Sequence, residues 1–165
     1  MEAAEIHRRL REKLGNSVLP EMKEAEWAIV DVLPAAIAEA GRLLKDDPEL
    51  AFDNLSNLTA CDRRSDDRID VYYHLYSYEH RHKLTLRASC PRLDPQLPTI
   101  SKIWAIGDWL EREAFDLMGV NFVGHTDLRR LLMPEDWVGH PLRKDFVEPE
   151  EYHGISTRRE SLLKL

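Results

Sequence analysis

The sequence predicts an α+β domain of two layers over residues 1–123, with the order helix, two strands, helix, three strands, helix and a mixed sheet, followed by an extended C-terminal arm over residues 124–165. Three observations carry this. Ile69 to Tyr78 and Lys83 to Cys90 alternate apolar and polar residues on either side of the polar turn Glu79–His82, as in a hairpin with one face on a core. Three other stretches carry apolar residues at helical spacing. After Gly124 neither period persists, and fixed charges mix with large apolar side chains.

In chain order, Ala3, Ile6, Leu10 and Leu14 fall on one helical face, and Gly15-Asn16 ends that helix. Ser17 to Leu19 and Trp27 to Val32 read as two strands that pair with each other, the second rich in β-formers. Pro34 suits the first turn of a second helix with the stripe Ile37, Gly41 (or Ala40) and Leu44, stopped by Lys45-Asp46-Asp47-Pro48. A short strand is expected at Leu58 to Asp62, then the hairpin, with Ile69, Val71, Tyr73 and Leu75 inward and Asp70, Tyr72, His74 and Tyr76 outward. Pro91 to Pro98 reads as a connector. Thr99 is the expected cap of a long helix with the stripe Ile100, Ile103, Trp104, Gly107, Leu110, Ala114 and Leu117, ended by Gly119.

At 165 residues and 43% hydrophobic content the chain can bury one ordinary core. A net charge of −7 argues against a nucleic-acid binder, which presents a basic face. The longest apolar run, Val32 to Ala38, contains Pro34 and is too short to cross a bilayer. The stretch from Met1 to Leu10 has no apolar signal core, so the chain is expected on the cytoplasmic side. Two cysteines, Cys61 and Cys90, are too few for the usual four ligands of an iron–sulfur cluster or structural zinc.

The candidate chemistry is sparse. In E-R-E-A-F-D, Glu113 and Asp116 lie three apart and share a face, with Glu111 and Arg112 pointing elsewhere. Such carboxylates can bind a metal, sit solvated at a helix end, or, with Arg112, pair with charges on the arm or a partner. His125, Asp127 and His140 are the ligands that a small metal-dependent hydrolase would use, but no H-x-x-x-H or H-E-x-x-H spacing accompanies them. His74, His80 and His82 are expected to be solvated. There is no G-x-S-x-G, P-loop or G-x-G-x-x-G. No catalytic, cofactor-binding or metal-binding residues are therefore expected in this chain.

The arm is different. From His125 to Phe146, Arg129, Arg130, Arg143 and Lys144 balance Asp127, Glu135, Asp136 and Asp145, interleaved with Leu128, Leu131, Leu132, Met133, Trp137, Leu142 and Phe146. Interfaces favour arginine, tryptophan, methionine and phenylalanine as anchors, and Pro134, Pro141, Gly124 and Gly139 set an irregular path. Either this segment lies on another protein or it folds back on its own domain.

E-R-E-A-F-D-L-M-G-V-N-F-V-G-H-T-D-L-R-R-L-L resembles the signature of the C subunit family of the bacterial proton-pumping NADH:quinone oxidoreductase, respiratory complex I, whose elements here are Glu111, Arg112, Glu113, Asp116, His125, Arg129 and Leu131-Leu132. L-L-M-P-E-D-W-V-G-H-P-L-R-K-D-F is similar to the family's continuation and P-E-E-Y-H-G-I to its tail. The resemblance implies a peripheral-arm subunit beside a D-type subunit and other peripheral-arm neighbours, with FMN, the iron–sulfur clusters and quinone held by partner subunits. It extends to the homologous subunit of membrane-bound hydrogenase-type complexes. Signature and interface together then comprise Glu111, Arg112, Glu113, Asp116, Gly119, His125, Asp127, Arg129, Arg130, Leu132, Pro134, Trp137, His140, Pro141, Leu142, Arg143, Lys144 and Asp145.

Overall fold

Helix α1 (Ala3–Leu14) buries Ile6, His7 and Leu10 and ends at Gly15, where φ is +56°. The chain then enters β1 (Val18–Lys23) and β2 (Ile29–Val32), which pair antiparallel as expected. The structure is a computed structural model that describes residues 1–157, so the end of the expected arm, residues 158–165, lies outside the described residues. β1 runs further than the sequence suggests because Pro20, which lacks an N–H, is tolerated on a sheet edge. Pro34 opens a short 3₁₀ turn that leads into α2 (Ile37–Asp46), whose buried residues are Ile37, Ala40, Gly41 and Leu44.

β3 (Asn54–Arg63), β4 (Arg68–Tyr76) and β5 (Lys83–Pro91) complete a five-stranded sheet in the order β1-β2-β5-β4-β3, antiparallel except where β2 runs parallel to β5. Alternation sets the faces. Ile69, Val71, Tyr73, Leu75, Leu84, Leu86 and Ala88 join one contiguous core with residues of all three helices. The opposite face is polar but is closed over by its own side chains. Asp70 is fully buried there, with Ser89 Oγ 2.6 Å away and Arg68 Nε at 3.0 Å.

His82 corrects an expectation of solvation. It is buried, with Nε2 2.5 Å from the carbonyl of Leu50 and its ring tilted against Phe52, because the hairpin turn folds over the loop after α2.

A second correction concerns the last helix. α3 spans Gly107–Met118 and does not begin at Thr99. The carboxylate of Glu111 takes the N–H of Ile100 at 2.6 Å and the hydroxyl of Thr99 at 2.5 Å, which ties residues 99–104 into a separate turn. The expected connector before it contains a short strand, β6 (Gln96–Pro98), which pairs in parallel with β7 (Asn121–Val123) across α3. After β7 there is no helix or strand until the hairpin β8 (Glu151–Tyr152) and β9 (Ile155–Ser156). Among the described residues no helix is long and apolar enough to cross a membrane.

Candidate functional site

Several of the residues that the sequence singles out, Asp116, Gly119, Arg130, His140, Leu142 and Arg143, meet at the C-terminal end of α3. A helix end leaves its last carbonyls without partners inside the helix. Here residues 130–143 supply them. His140 Nδ1 donates to Asp116 O at 2.9 Å, the Leu142 N–H to Leu117 O at 3.0 Å, and Arg143 Nε to Met118 O at 2.8 Å. The cation of Arg143 also sits where the helix dipole is negative. Gly119 closes the helix at φ +74°, and a Cβ there would lie 2.6 Å from the His140 ring. Only glycine satisfies both conditions.

Asp116 is the centre of the site. One oxygen accepts Arg130 Nη1 at 2.7 Å, and the other accepts three successive backbone N–H groups, of Leu131, Leu132 and Met133, at 3.0, 2.7 and 2.8 Å. Burial pushes its pKa up, but the Met133 N–H, Arg130 and the other two amides outweigh that and hold it below the usual carboxylate range. Arg130 reaches on to the carbonyls of Trp137 at 2.7 Å and Gly139 at 3.0 Å. Arg112, buried and stacked over Trp109, donates to the carbonyls of Arg129 and Arg130 at 3.3 Å each.

Two further clamps flank this one. Asp62, at the end of β3, is held bidentately by Arg92 at 2.8 and 3.0 Å and accepts the Lys144 N–H at 2.8 Å, while Arg92 also pairs with Asp145. The Arg92 guanidinium lowers the pKa of Asp62. At the root of the segment, His125 Nδ1 accepts the Asp127 N–H at 3.0 Å, which leaves the proton on Nε2, 3.2 Å from Asp108 O. Nε2 lies 3.9 Å from Glu111, whose burial raises its pKa to about 7.

The signature charges therefore divide by role. Glu111, Arg112 and Asp116 are buried, and Glu113, three residues before Asp116 on the same helix, is exposed. Of the pairing expected for Arg112, Glu113 and Asp116, Arg112 and Asp116 bind the arm. Arg130, Trp137, His140, Pro141 and Arg143 are half-buried on the domain. Asp127 and Arg129 pair with each other in the open at 3.0 Å, and Pro134, Lys144 and Asp145 are also exposed. Leu131, Met133, Trp137 and Phe146 are half-buried, whereas Leu132, Val138, Leu142 and Val147 face outward, 60%, 84%, 57% and 84% exposed. Asp136 takes Tyr152 and His153 of the terminal hairpin, each at 2.7 Å. His125 and His140 are engaged in separate clamps, and among the described residues no group of three His, Cys, Asp or Glu could hold a metal ion, so the hydrolase constellation is not assembled. Sequence reasoning missed Asp62 and Arg92, whose partners lie far along the chain.

The fold and site together define a two-layer α+β domain whose final segment is latched to a helix end by the buried carboxylate of Asp116. Residues 30–152 match the family described as respiratory-chain NADH dehydrogenase, 30 Kd subunit, and the chain belongs to this family. The C subunit of NADH-quinone oxidoreductase from Moorella thermoacetica is 46% identical over 133 residues, covering 78% of this chain and 88% of that one. Its namesake from Roseiflexus sp. (strain RS-1) is 39% identical over 146 residues, covering 88% and 84%. The protein of the same name from Chloroherpeton thalassium is 44% identical over 113 residues, and that match spans about half, 47%, of the relative's length. Among solved structures, a trypsin-resistant fragment of Nqo5 superposes with a TM-score of 0.61 at 26% identity, covering 74% of this chain and 98% of that one. A chain of the membrane-bound sulfane sulfur reductase, an archaeal respiratory membrane complex, shares the fold, with a TM-score of 0.69 at 22% identity over 89% of this chain and 86% of that one.

Proposed function

We propose that this chain is a non-catalytic subunit of the peripheral arm of NADH:quinone oxidoreductase, on the cytoplasmic side of the bacterial cell membrane. It holds a D-type subunit in position while electrons pass from NADH to quinone, coupled to proton translocation. FMN, the iron–sulfur clusters and quinone belong to the partner subunits. The supporting observation is the C-terminal segment, whose backbone is tied down by Asp116, Arg112 and Asp62 while Leu132, Val138 and Leu142 point out. Exposed apolar side chains on a rigidly held path fit a partner surface, not a solvent-facing loop. Electron transfer and proton coupling need fixed geometry, so a subunit without a redox centre can still be required for turnover.

The test is a pair of variants, Val138→Asp and Leu142→Asp, in the membrane-derived complex. Both side chains are exposed, so the isolated chain should melt within about 0.5 kcal/mol of wild type. Copurification with the D-type subunit and NADH:quinone activity of the complex should both fall. If the isolated chain instead turned over a substrate and these changes abolished that activity, the assembly reading would be wrong. The occurrence of the fold in a sulfane sulfur reductase complex favours a second reading, a related subunit of a hydrogenase-type membrane complex. Copurified NADH-binding subunits would exclude it.

A further inference from the structure

We propose that the free edge of β3, with the α3 surface beside it, receives an extended segment of a partner polypeptide that adds to the sheet as a sixth strand and sets a lysine or arginine against Glu113. This rests on the reading of the chain as a subunit held by its neighbours, and it names a second surface for that role, one that borders the C-terminal segment at Leu142.

The two edges of the sheet are built differently. β1 carries Pro20, Glu21 and Lys23, its irregular pairing breaks between Val18 and Met22, and His7 of α1 occupies the Leu19 carbonyl at 2.8 Å. These are the devices that discourage strand addition. β3 is ten residues long, and from Asn54 to Cys61 it contains no charge and no proline, with a single bulge between Leu55 and Asn57. A long, uncharged edge left in this state is a template for pairing.

The direction of its backbone groups follows from the ladder. The N–H of Thr85 bonds to Ala28 O on the β2 side, so Leu84 and Leu86 turn their backbone groups to β4. Tyr73 and Leu75 therefore face β5, Tyr72 and His74 face β3, and their partners Thr59 and Asn57 face inward. The backbone groups of Leu58 and Ala60 point out of the sheet. Among the described residues no hydrogen bond from another element meets them. Beside them lies a groove lined by Leu58, Ala60, Ala114, Leu117 and Leu142, with Glu113 on its rim.

Glu113 selects the occupant. Glu111 holds the Ile100 turn, Arg112 and Asp116 hold the C-terminal segment, and Glu113 is the one signature charge on α3 with no hydrogen bond or ion pair among the described residues. A second copy of this chain paired edge to edge would bring two Glu113 carboxylates together, in a molecule already carrying a net charge of −7. Like charges so placed oppose that pairing. A basic extended segment of a different chain satisfies both the backbone edge and the carboxylate.

The experiment compares amide exchange of Leu58 and Ala60 in the free full-length chain and in the assembled membrane complex, with Thr59→p-benzoylphenylalanine as a photo-crosslinker and Glu113→Lys against Glu113→Gln. Assembly should slow both amides on the order of 100-fold. The crosslink should land in another polypeptide within two or three residues of a lysine or arginine. Glu113→Lys should cut incorporation about tenfold relative to Glu113→Gln, with both variants melting like wild type. Unchanged exchange in the complex, or a crosslink to a second copy, overturns the strand-addition site while leaving the assembly role intact. Absence of the wild-type chain from the membrane complex overturns both.

Discussion

Between Ile69 and Cys90 alternate apolar side chains turn into the core, whereas between Arg129 and Val147 Leu132, Val138, Leu142 and Val147 stay exposed while Arg130 and Arg143 lean on the domain. The first region is held mainly by apolar area removed from water, spread over many residues. The second is held by a few carboxylates, Asp116 and Asp62 above all, that gather backbone N–H groups and arginines. The difference teaches that one chain can carry a core and a latch that fail separately. The latch can open while the sheet stays folded, because none of the latch carboxylates is among the apolar residues that fill the core.

The largest effect should come from breaking the latch at its centre. Asp116→Ala strands three amides and the half-buried Arg130, at a cost of about 4 kcal/mol to docking of the segment. Limited proteolysis should then cut between residues 125 and 150 while the circular dichroism melt of the sheet moves far less. A single cooperative loss of both would merge the two regions into one unit. Leu86→Ala should cost about 3 kcal/mol in urea unfolding, equally at pH 5 and pH 8, since a cavity has no charge to titrate.

The smallest effect concerns Glu111, which ties the Thr99–Ile100 turn to α3. Its folded pKa is raised by burial to about 7 from an ordinary value of 4.5. A raised pKa means that its contribution is complete below 4.5 and is lost as the pH climbs through about 7. Wild type should therefore lose about 2 kcal/mol relative to Glu111→Gln between pH 5 and pH 8. Parallel pH profiles for the two proteins would remove Glu111 from that role. Asp116 and Asp62 have lowered pKa values and so the opposite sign, their stabilisation being lost as the pH falls into the acid range.

The hairpin, α2 and the Gly119 cap were legible because each is written in local periodicity or in a single residue type. The start of α3 was not, since Glu111 overrides the capping pattern at Thr99 from eleven and twelve residues away. β6 was hidden in a proline-bearing connector whose pairing partner lies on the far side of a helix. In the site, the motif from Glu111 to Phe146 contains Asp116, Arg130, His140 and Arg143, which meet at the end of α3, but their contacts depend on which side of a backbone each charge faces. Asp62 and Arg92 carry no local pattern at all.

The order of the helix end and its caps along the chain bears on biosynthesis. On a ribosome, Asp116 to Met118 emerge well before His140, Leu142 and Arg143, which take up their carbonyls. The last turn of α3 is therefore completed late, and a nascent polypeptide interrupted in between carries a helix terminus exposed to water. Translation thus imposes a sequence of events in which the sheet can consolidate first and Leu132, Val138 and Leu142 are set on their outward path last.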